Sequence, residues 1–360
     1  MAPRVLTADR GDAGRRLDLV LRRHLTDVEA ATRTRVQVWI ETGLVAVNGR
    51  PVRRVAARAA LGDLITVALP AATPRAPMAA ESAAISVLYE DAQFLAVNKP
   101  AGLVVHPTHA HASGTLMNAL LWHARGWPAT SRPSLVGRLD KGTSGVVVVA
   151  KGADMHAALQ RAWGGAGTIT EYLALVYGRV TPAKGRIDLG LRRDPGDRRR
   201  VIASDRSGAP SVTLFERIGR PGHIARRVSL VRCRLLTGRT HQIRAHLAAR
   251  GWPIVGDPVY GAPGWRGVED PVLRGVLRRF PGQALHAWRT VLPHPLTGRP
   301  VEIVAPLPPD LHALVAATGI ALDGDDGNLS RARGQALVTC SQPEHDPAGG
   351  SPDPESCEHE

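Results

Sequence analysis

The strongest hydrophobic pattern in the chain is a run of four valines, Val146–Val149, that follows a short polar segment rich in glycine. Consecutive β-branched residues are apolar on both faces of a strand, which is typical of a central strand covered on both sides. Gly142 and Gly145 precede the run and indicate a tight turn. The pattern places Asp140 on a constrained turn before a buried strand. An aspartate in such a turn usually binds its own backbone, so the pattern alone assigns it no chemistry.

Helical periodicity dominates the beginning of the chain. Apolar residues recur at helical spacing within residues 17–25, and a second helix is predicted over residues 34–42. The dipeptide Asn48-Gly49 fits a two-residue hairpin turn with positive φ, and residues 61–67 are predicted to form a strand. These elements indicate a small module of two helices and a few strands.

The main body of the chain reads as strands with a few helices. A strand pair is predicted within residues 85–100, and a helix is predicted to begin after Thr115. A strongly apolar strand follows at residues 168–178. A later helix is predicted to have Thr240 as its N-cap and to end at Gly251.

Changes in composition divide the chain into five parts. Residues 1–14 are predicted to be a disordered arm and residues 15–70 a small domain. Residues 71–84 are rich in proline and alanine and indicate a semi-stiff linker. The main domain is predicted to cover residues 85–318. Residues 319–360 are acidic, poor in apolar residues and predicted to be disordered.

The chain is strongly basic, with a formal net charge of +14. Nine acidic residues lie within residues 321–360, so residues 1–320 hold 44 basic and 23 acidic residues, or +21. This balance indicates a polyanionic partner that is bound through phosphate contacts. Only four of the basic residues are lysines, a bias that suits phosphate recognition but that arginine-rich codon usage also explains. Five arginines indicate an exposed basic loop that would contact such a partner: Arg192, Arg193, Arg198, Arg199 and Arg200.

Cysteine content and targeting signals indicate an ordinary intracellular protein. The three cysteines, two of them near the end of the chain, have neither the density of a disulfide framework nor the spacing of metal ligands. Residues 1–16 lack the apolar core of a secretory signal, and no apolar run is long enough to span a membrane. We therefore expect a cytoplasmic protein.

The polar segment before the valines, Gly137–Gly145, resembles the catalytic motif of the RluA-type RNA pseudouridine synthases. It contains the sequence Arg-Leu-Asp-Lys, followed by Thr-Ser-Gly and an apolar strand. Further stretches resemble the same family in the expected order: Asn98–Pro107, Gly238–Arg244 and Pro253–Gly261. The resemblance extends from about Arg15 to about Leu311.

This resemblance implies an α+β fold with a mixed, largely antiparallel sheet, flanking helices and an active site in a cleft across the sheet. The module at residues 15–70 resembles the small RNA-binding domain named after ribosomal protein S-four. In that domain the helix pair carries the surface that contacts RNA. The candidate contacts, for which a solvated basic face is the alternative, are Arg33, Arg35, Arg53, Arg54 and Arg58.

The family isomerises uridine within RNA, a reaction that neither adds nor removes atoms, so the resemblance implies no cofactor and no metal. Asp140 matches the catalytic carboxylate, which acts as a nucleophile or as a base on the ribose. Arg244 matches the arginine that keeps this carboxylate ionised and oriented. Tyr172 matches the tyrosine placed against the uracil ring, although a tyrosine at this position of a strand would otherwise be read as half-buried packing. Arg138 is a candidate for filling the gap left by the target base.

Further candidates for RNA contact border the two most specific motifs. They are Lys141, Arg239 and His241. His106, His109 and His111 were also considered as metal ligands. They lack a nearby carboxylate or thiolate partner, so loop or phosphate contacts are favoured instead.

The chain departs from the resembled family at Gly137, where a histidine is common. Glycine occurs at this position in a sibling branch of bacterial pseudouridine synthases that also carries the S-four-type domain. All other motifs favour the RluA-type branch. The departure leaves the local packing of the loop and the target preference open.

Two other functions fit parts of the sequence. A catalytically inactive RNA-binding or ribosome-assembly protein of the same fold would be expected to lack Asp140, Tyr172 or Arg244, and all three are present. A glycosidase acting on free nucleosides would not need the basic charge or the first module. Large-subunit ribosomal RNA is the favoured substrate, transfer RNA is second, and a monomer is the default state.

Overall fold

The computed structural model contains two compact units, Met1–Pro77 and Met78–Glu360. The residues that it describes are 3–28, 31–70, 78–108, 111–165, 167–219, 227–261 and 263–320. His109, the first half of the predicted linker and the predicted acidic tail from residue 321 onward lie outside this part of the chain. Within it, no helix is long and apolar enough to cross a membrane.

The first unit packs two helices against a four-stranded antiparallel sheet of order β1-β4-β2-β3. Its elements are β1 (Arg4–Thr7), α1 (Leu17–His24), α2 (Arg33–Glu41), β2 (Val45–Val47), β3 (Arg50–Pro51) and β4 (Leu64–Val67). Leu21 and Ile40 from the helices meet Ile65 from the sheet in the core. Asn48 and Gly49 have φ values of 50° and 77°, so the hairpin turn has the predicted conformation.

The prediction of a disordered arm at residues 1–14 is wrong for the described residues of this segment. Strand β1 pairs with β4 along its length, with Arg4 opposite Val67. The side chain of Asp12 is fully buried and bonds to both Arg23 and His24. The segment contains too few apolar residues to show a pattern, because its order comes from backbone pairing and buried ion pairs.

The second unit is built on a ten-stranded sheet. Its strands are β5 (Ser86–Glu90), β6 (Phe94–Lys99), β7 (Ser134–Leu135), β8 (Ser144–Ala150), β9 (Ile169–Tyr177), β10 (Lys184–Asp188), β13 (Val212–Ile218), β14 (Val228–Leu235), β15 (Leu285–Pro293) and β16 (Pro300–Val304). The remaining strands, β11 (Gly190–Arg193) and β12 (Val201–Ser204), form a separate two-stranded sheet. The helices are α3 (Leu116–His123), α4 (Ala153–Ala162), α5 (Gln242–Ala249), α6 (Pro271–Arg279) and α7 (Pro309–Ala317).

The large sheet has the order β10-β13-β14-β9-β15-β8-β6-β5, with β16 added to β15 and β7 added to β8. The pairing of β15 with β8 is parallel, and the other described pairs of this sheet are antiparallel. The architecture therefore confirms the predicted α+β class with a mixed, largely antiparallel sheet.

The valine run forms the buried strand that its pattern predicts. Val146 and Val148 pack in one cluster with Leu159 of α4, whereas Val147 and Val149 pack in another cluster with Leu120 of α3. The strand is thus covered on both faces by helices, as its uninterrupted β-branched sequence requires.

Strand β8 meets β15 at a point that only glycine can occupy. Gly145 has φ of +112°, and a Cβ atom there would lie 2.1 Å from the carbonyl oxygen of Ala287. The absence of a side chain lets the two strands approach, and this approach fixes the loop that precedes β8.

Candidate active site

Asp140 lies on the turn between β7 and β8, where its backbone carbonyl accepts a hydrogen bond from Thr143 N at 3.1 Å. Its side chain is about one quarter exposed, with 25% of its surface accessible. It borders a cavity of about 1030 Å³ in the second unit. The buried strand therefore carries a carboxylate to the wall of an open cavity.

Arg244 connects this carboxylate to a second one. Its Nη1 donates to Asp140 Oδ2 at 2.8 Å, and its Nε and Nη2 donate to Asp257 at 2.6 and 2.9 Å. Only 5% of the arginine side chain is exposed. Burial opposes the charged form, but the two carboxylates outweigh it and raise the pKa of Arg244. The rigid guanidinium of Arg244 thus holds the Asp140 carboxylate in one orientation.

Asp257 holds Arg244 in place. Its side chain is completely buried, and its Oδ1 also accepts hydrogen bonds from the backbone N–H groups of Val259 and Tyr260. Burial would raise the pKa of this carboxyl, but Arg244 and the backbone donors hold it below its ordinary value. Sequence analysis assigned no role to Asp257, because an aspartate between glycine and proline looks like an ordinary turn residue.

His241 lies between Asp140 and Tyr260 at the start of α5. Its Nε2 is 3.8 Å from Asp140 Oδ2, and its Nδ1 is 3.1 Å from the Tyr260 hydroxyl. Its backbone has φ of 55°, a left-handed conformation that costs energy for a residue with a side chain. Burial lowers the pKa of His241, although the charge of Asp140 acts in the opposite direction. This residue therefore presents a neutral imidazole to the carboxylate at neutral pH.

The prediction that Thr240 caps α5 is wrong. The helix begins at Gln242, and His241 occupies the N-cap position without a side-chain cap. The side chain of Gln242 instead closes the preceding turn, because its Oε1 accepts from Arg239 N at 3.0 Å. Thr240 is left to accept a hydrogen bond from Arg138 at 3.0 Å.

Lys99 is a second residue to which the sequence assigned no role. Its side chain is fully buried, and its Nζ donates to the carbonyl oxygens of Pro100, Leu103 and Lys141. Burial lowers the pKa of Lys99 to about 8, against the attraction of the Asp140 charge. The lysine therefore ties the loop after β6 to the residue that directly follows Asp140.

Tyr172 lies on β9, opposite Cys233 of β14 and Ala287 of β15. It is half-buried and packs against the main apolar cluster. Burial raises its pKa above the ordinary value for tyrosine, and the charge of Asp140 adds to this effect. The charge of Asp140 thus acts on Tyr172, although Tyr172 is not among the residues that line the cavity.

Another part of the cavity lining is basic. We call residues 190–204, which comprise β11, β12 and their connection, the arginine hairpin. The run predicted to be an exposed basic loop lies at the end of β11 and in this connection. All five of its arginines are exposed and line the cavity that Asp140 borders: Arg192, Arg193, Arg198, Arg199 and Arg200. Lys141, Arg239 and His241 line the same cavity.

Comparison with known proteins agrees with this geometry. A family model described as RNA pseudouridylate synthase matches residues 93–249. An uncharacterized RNA pseudouridine synthase of Bacillus subtilis (strain 168) is 39% identical over 291 residues, which cover 79% of this chain and 88% of that protein. The chain belongs to the RNA pseudouridine synthase family.

Two further similar proteins are informative within this family. The ribosomal large subunit pseudouridine synthase D of Neisseria meningitidis serogroup A is 36% identical over 323 residues, which cover 88% of this chain and 82% of that protein. The solved structure of human RNA pseudouridylate synthase domain containing 1 is 26% identical, with a TM-score of 0.52, and covers 70% of this chain and 96% of that one. The family assigns the chain an isomerase activity on RNA.

The environment of Gly137 accounts for the absence of histidine at this position of the synthase. A Cβ atom at Gly137 would lie 3.1 Å from the indole of Trp163, at the C-terminal end of α4. The indole fills the space beside the loop of Asp140, so a larger residue at Gly137 would force it to move. Arg138, next along the chain, is exposed and is tied to α5 through its bond to Thr240.

The RNA-contact candidates of the first unit differ in how free their side chains are. Arg33, Arg35, Arg53 and Arg54 are exposed, and within the described part of the chain none of them forms a direct ion pair, although Arg33 is close enough to Asp18 for their charges to interact. Arg58 is also exposed, but its guanidinium donates to the carbonyl of Gly14. Arg58 therefore has a structural role in joining two segments of its own unit.

Proposed function

We propose that this protein converts specific uridines of large-subunit ribosomal RNA to pseudouridine, with Asp140 as the catalytic carboxylate. The observation that carries the proposal is an aspartate, fixed by a buried arginine, that lines the same cavity as a group of exposed arginines. The printed names of several relatives, including the Neisseria protein, support ribosomal RNA as the substrate. Transfer RNA is the second candidate.

The reaction breaks the bond between ribose C1′ and uracil N1 and forms a bond between C1′ and C5. C5 loses a proton and N1 gains one, so the substrate and product have the same composition and no cofactor is needed. Asp140 either attacks C1′ or removes a proton from the ribose, and both routes need an oriented carboxylate next to the sugar. Arg244 supplies the orientation without contributing a proton.

The detached uracil must rotate without leaving the site. Tyr172 is proposed to stack on the ring while the new bond forms, and Arg138 to occupy the position that the target base vacates. Both residues are related to the loop of Asp140: the charge of Asp140 acts on Tyr172, and Arg138 lies two residues before Asp140 in the chain. Their proposed roles follow from the family motifs that they match.

Phosphate contacts are proposed on both units. In the second unit they would come from the arginine hairpin, Lys141, Arg239 and His241, which surround the cavity. In the first unit, proposed to be an S-four-type RNA-binding domain, they would come from the exposed arginines Arg33, Arg35, Arg53 and Arg54. A monomeric protein acting in the cytoplasm fits this assignment.

The test is to map pseudouridines across total RNA, by carbodiimide-stop sequencing, in cells that lack the gene. Complementation with the wild-type protein and with Asp140→Asn runs in parallel. We expect specific sites in large-subunit ribosomal RNA to disappear and only the wild-type protein to restore them. Sites in transfer RNA alone would shift the assignment to the second substrate.

The alternative of an inactive RNA-binding or assembly protein makes a different prediction in the same experiment. The deletion would then leave every pseudouridine in place, and Asp140→Asn would complement any growth defect. The intact bond between Arg244 and Asp140 argues against it, because a protein without catalysis has no need for an oriented carboxylate.

A further inference from the structure

Tyr260 lies at the junction between the catalytic residues and the arginine hairpin. Its hydroxyl oxygen accepts a hydrogen bond from the backbone N–H of Val201 at 2.8 Å. The same hydroxyl lies 3.1 Å from Nδ1 of His241. One oxygen atom thus connects the first residue of β12 with the residue next to Asp140.

The ring of Tyr260 makes contacts on the same two sides. The Arg244 guanidinium lies 5.1 Å from the ring centroid, and that of Arg200 lies 5.7 Å from it. The imidazole of His241 meets the ring edge-on at 5.7 Å between centroids. Tyr260 therefore contacts an arginine of the hairpin and the arginine that orients Asp140.

The hairpin needs such a connection because it is not part of the large sheet. It forms a separate two-stranded sheet, and sheets of this size are marginal without other packing. Leu191 of β11 pairs with Ala209, and Val201 of β12 bonds to Tyr260. The second contact directly follows Arg198, Arg199 and Arg200, so it fixes the end of the arginine run.

The hydrogen-bond pattern also indicates which ring nitrogen of His241 carries the proton. Because Val201 N–H donates to the Tyr260 oxygen, the phenolic proton is available for Nδ1 of His241. The imidazole then accepts at Nδ1 and carries its own proton on Nε2, the atom that faces Asp140.

We propose that Tyr260 is a positioning residue that couples the arginine hairpin to the catalytic carboxylate. Its hydroxyl holds the hairpin at Val201 and fixes His241 as the tautomer whose Nε2–H faces Asp140. The role in RNA binding rests on the proposed function, whereas the tautomer and the hairpin contact do not. Substrate phosphates bound on the hairpin would thereby be placed at a set distance from the reacting ribose.

Two measurements on the full chain test the contacts without RNA. Nitrogen-15 spectra of histidine-labelled protein at about pH 8, where imidazoles are neutral, report the tautomer. The His241 signal is assigned by its loss in His241→Gln. We expect an Nε2–H tautomer, and an Nδ1–H tautomer would overturn the assignment. Hydrogen exchange at the Val201 amide should be faster in Tyr260→Phe, and unchanged exchange would show that the hydroxyl does not hold the hairpin.

A third measurement tests the coupling during turnover on ribosomal RNA. Tyr260→Phe should raise KM about fivefold, the size expected for loss of one hydrogen bond. The control Tyr177→Phe, at a core tyrosine away from the cavity wall, should leave KM unchanged. Adding Tyr260→Phe to Arg192→Ala/Arg198→Ala should raise KM by a smaller factor than it does in the wild-type protein, because two of the hairpin arginines that it positions are gone.

The outcomes separate the two proposals. Independent, multiplicative effects of Tyr260→Phe and the arginine substitutions would overturn the coupling. A wild-type enzyme that forms no pseudouridine on any RNA would instead overturn the proposed function. The spectroscopic and exchange results would stand in that case, because neither measurement includes RNA.

Discussion

The carboxylate centre around Asp140 and the arginine hairpin border the same cavity, yet their charged groups are satisfied in different ways. In the centre, Arg244 is buried and bonds to two carboxylates, and Asp257 bonds to the same arginine and to two backbone donors. In the hairpin, Arg192 and Arg198 are exposed and have no acidic partner among the described residues.

This difference separates two tasks. Groups that act on the reacting atoms are fixed before the substrate arrives, because a preorganised site loses little energy in reorganising during the reaction. Among the described residues, Arg192 and Arg198 remain unpaired and can bind a phosphate without exchanging one ion pair for another. Arg199, which forms an ion pair with Asp197, is the exception within the hairpin. The centre is therefore expected to determine kcat, and the hairpin to determine KM and its salt dependence.

Asp140→Asn is expected to produce the largest effect and to divide the two tasks most clearly. The amide oxygen can still accept from Arg244, but it can neither attack C1′ nor remove a proton from the ribose. We expect kcat to fall by more than about 1,000-fold, while the Kd for ribosomal RNA changes by less than about threefold. Single-turnover kinetics and filter binding measure the two. Weak binding by the variant would show that Asp140 also serves substrate affinity.

Asp257→Asn is expected to weaken the hold on Arg244 and therefore the orientation of Asp140. It leaves Arg244 with one carboxylate and should cost about 3 kcal/mol in the free energy of unfolding, as breaking a buried ion pair does. The loosened arginine should also lower kcat by about 10- to 100-fold. Urea unfolding and turnover assays check both values. The exposed pair of Arg186 and Asp188 is the control, because Asp188→Asn should cost less than about 1 kcal/mol.

The dependence of stability on acid pH tests the lowered pKa of Asp257. Its pKa in the folded protein lies below the ordinary value of 3.8. Its contribution is therefore fully present above that value and is lost as the pH falls through the lower, folded pKa. Wild-type protein should lose stability relative to Asp257→Asn over this acid range. A constant difference between the two proteins from neutral to strongly acidic pH would contradict the depressed pKa.

The hairpin is expected to respond through affinity alone. Arg192→Ala/Arg198→Ala should raise KM about tenfold, leave kcat within about twofold and lower the slope of log affinity against log salt by about 1.5. Arg161→Ala/Arg299→Ala removes the same charge from exposed positions that do not line the cavity. A large fall in kcat in the hairpin variant alone would show that the two tasks are not separate.

The smallest effect is expected in the first unit. Arg33→Ala/Arg35→Ala removes two exposed charges from α2 and should raise KM about threefold without changing kcat. Arg58→Ala, which removes the donor to Gly14, should lower thermal stability instead. If the first pair leaves both KM and its salt dependence unchanged, α2 does not contact the RNA.

The parts of this molecule that sequence predicted well are those with a local cause. The valine strand is covered on both faces, as its side chains require, and Thr115 forms a capping box with Asn118 three residues later. The ion pair between Arg244 and Asp140 was also predicted, because each of the two residues lies in a family motif. Their roles in catalysis remain predictions.

The parts that were missed depend on contacts between distant residues. Asp257 matters because it bonds to Arg244, which the sequence does not reveal. Tyr260 bonds to Val201, which lies 59 residues away in the chain. Strand β1 is ordered by pairing with β4, which a short polar sequence does not reveal. Thr240 precedes a helical pattern and therefore resembles an N-cap. In the structure the side chain of Gln242 bonds to Arg239 N and closes the turn before the helix instead.

The position of β15 in the large sheet has a consequence for how the protein is made. β15 lies between β8, which follows Asp140, and β9, which carries Tyr172, and it is synthesised more than 100 residues after either. Until Leu285–Pro293 has left the ribosome, the strand that joins β8 to β9 is missing from the sheet. A nascent chain would therefore be inactive until β15 has been synthesised and has paired with both neighbours.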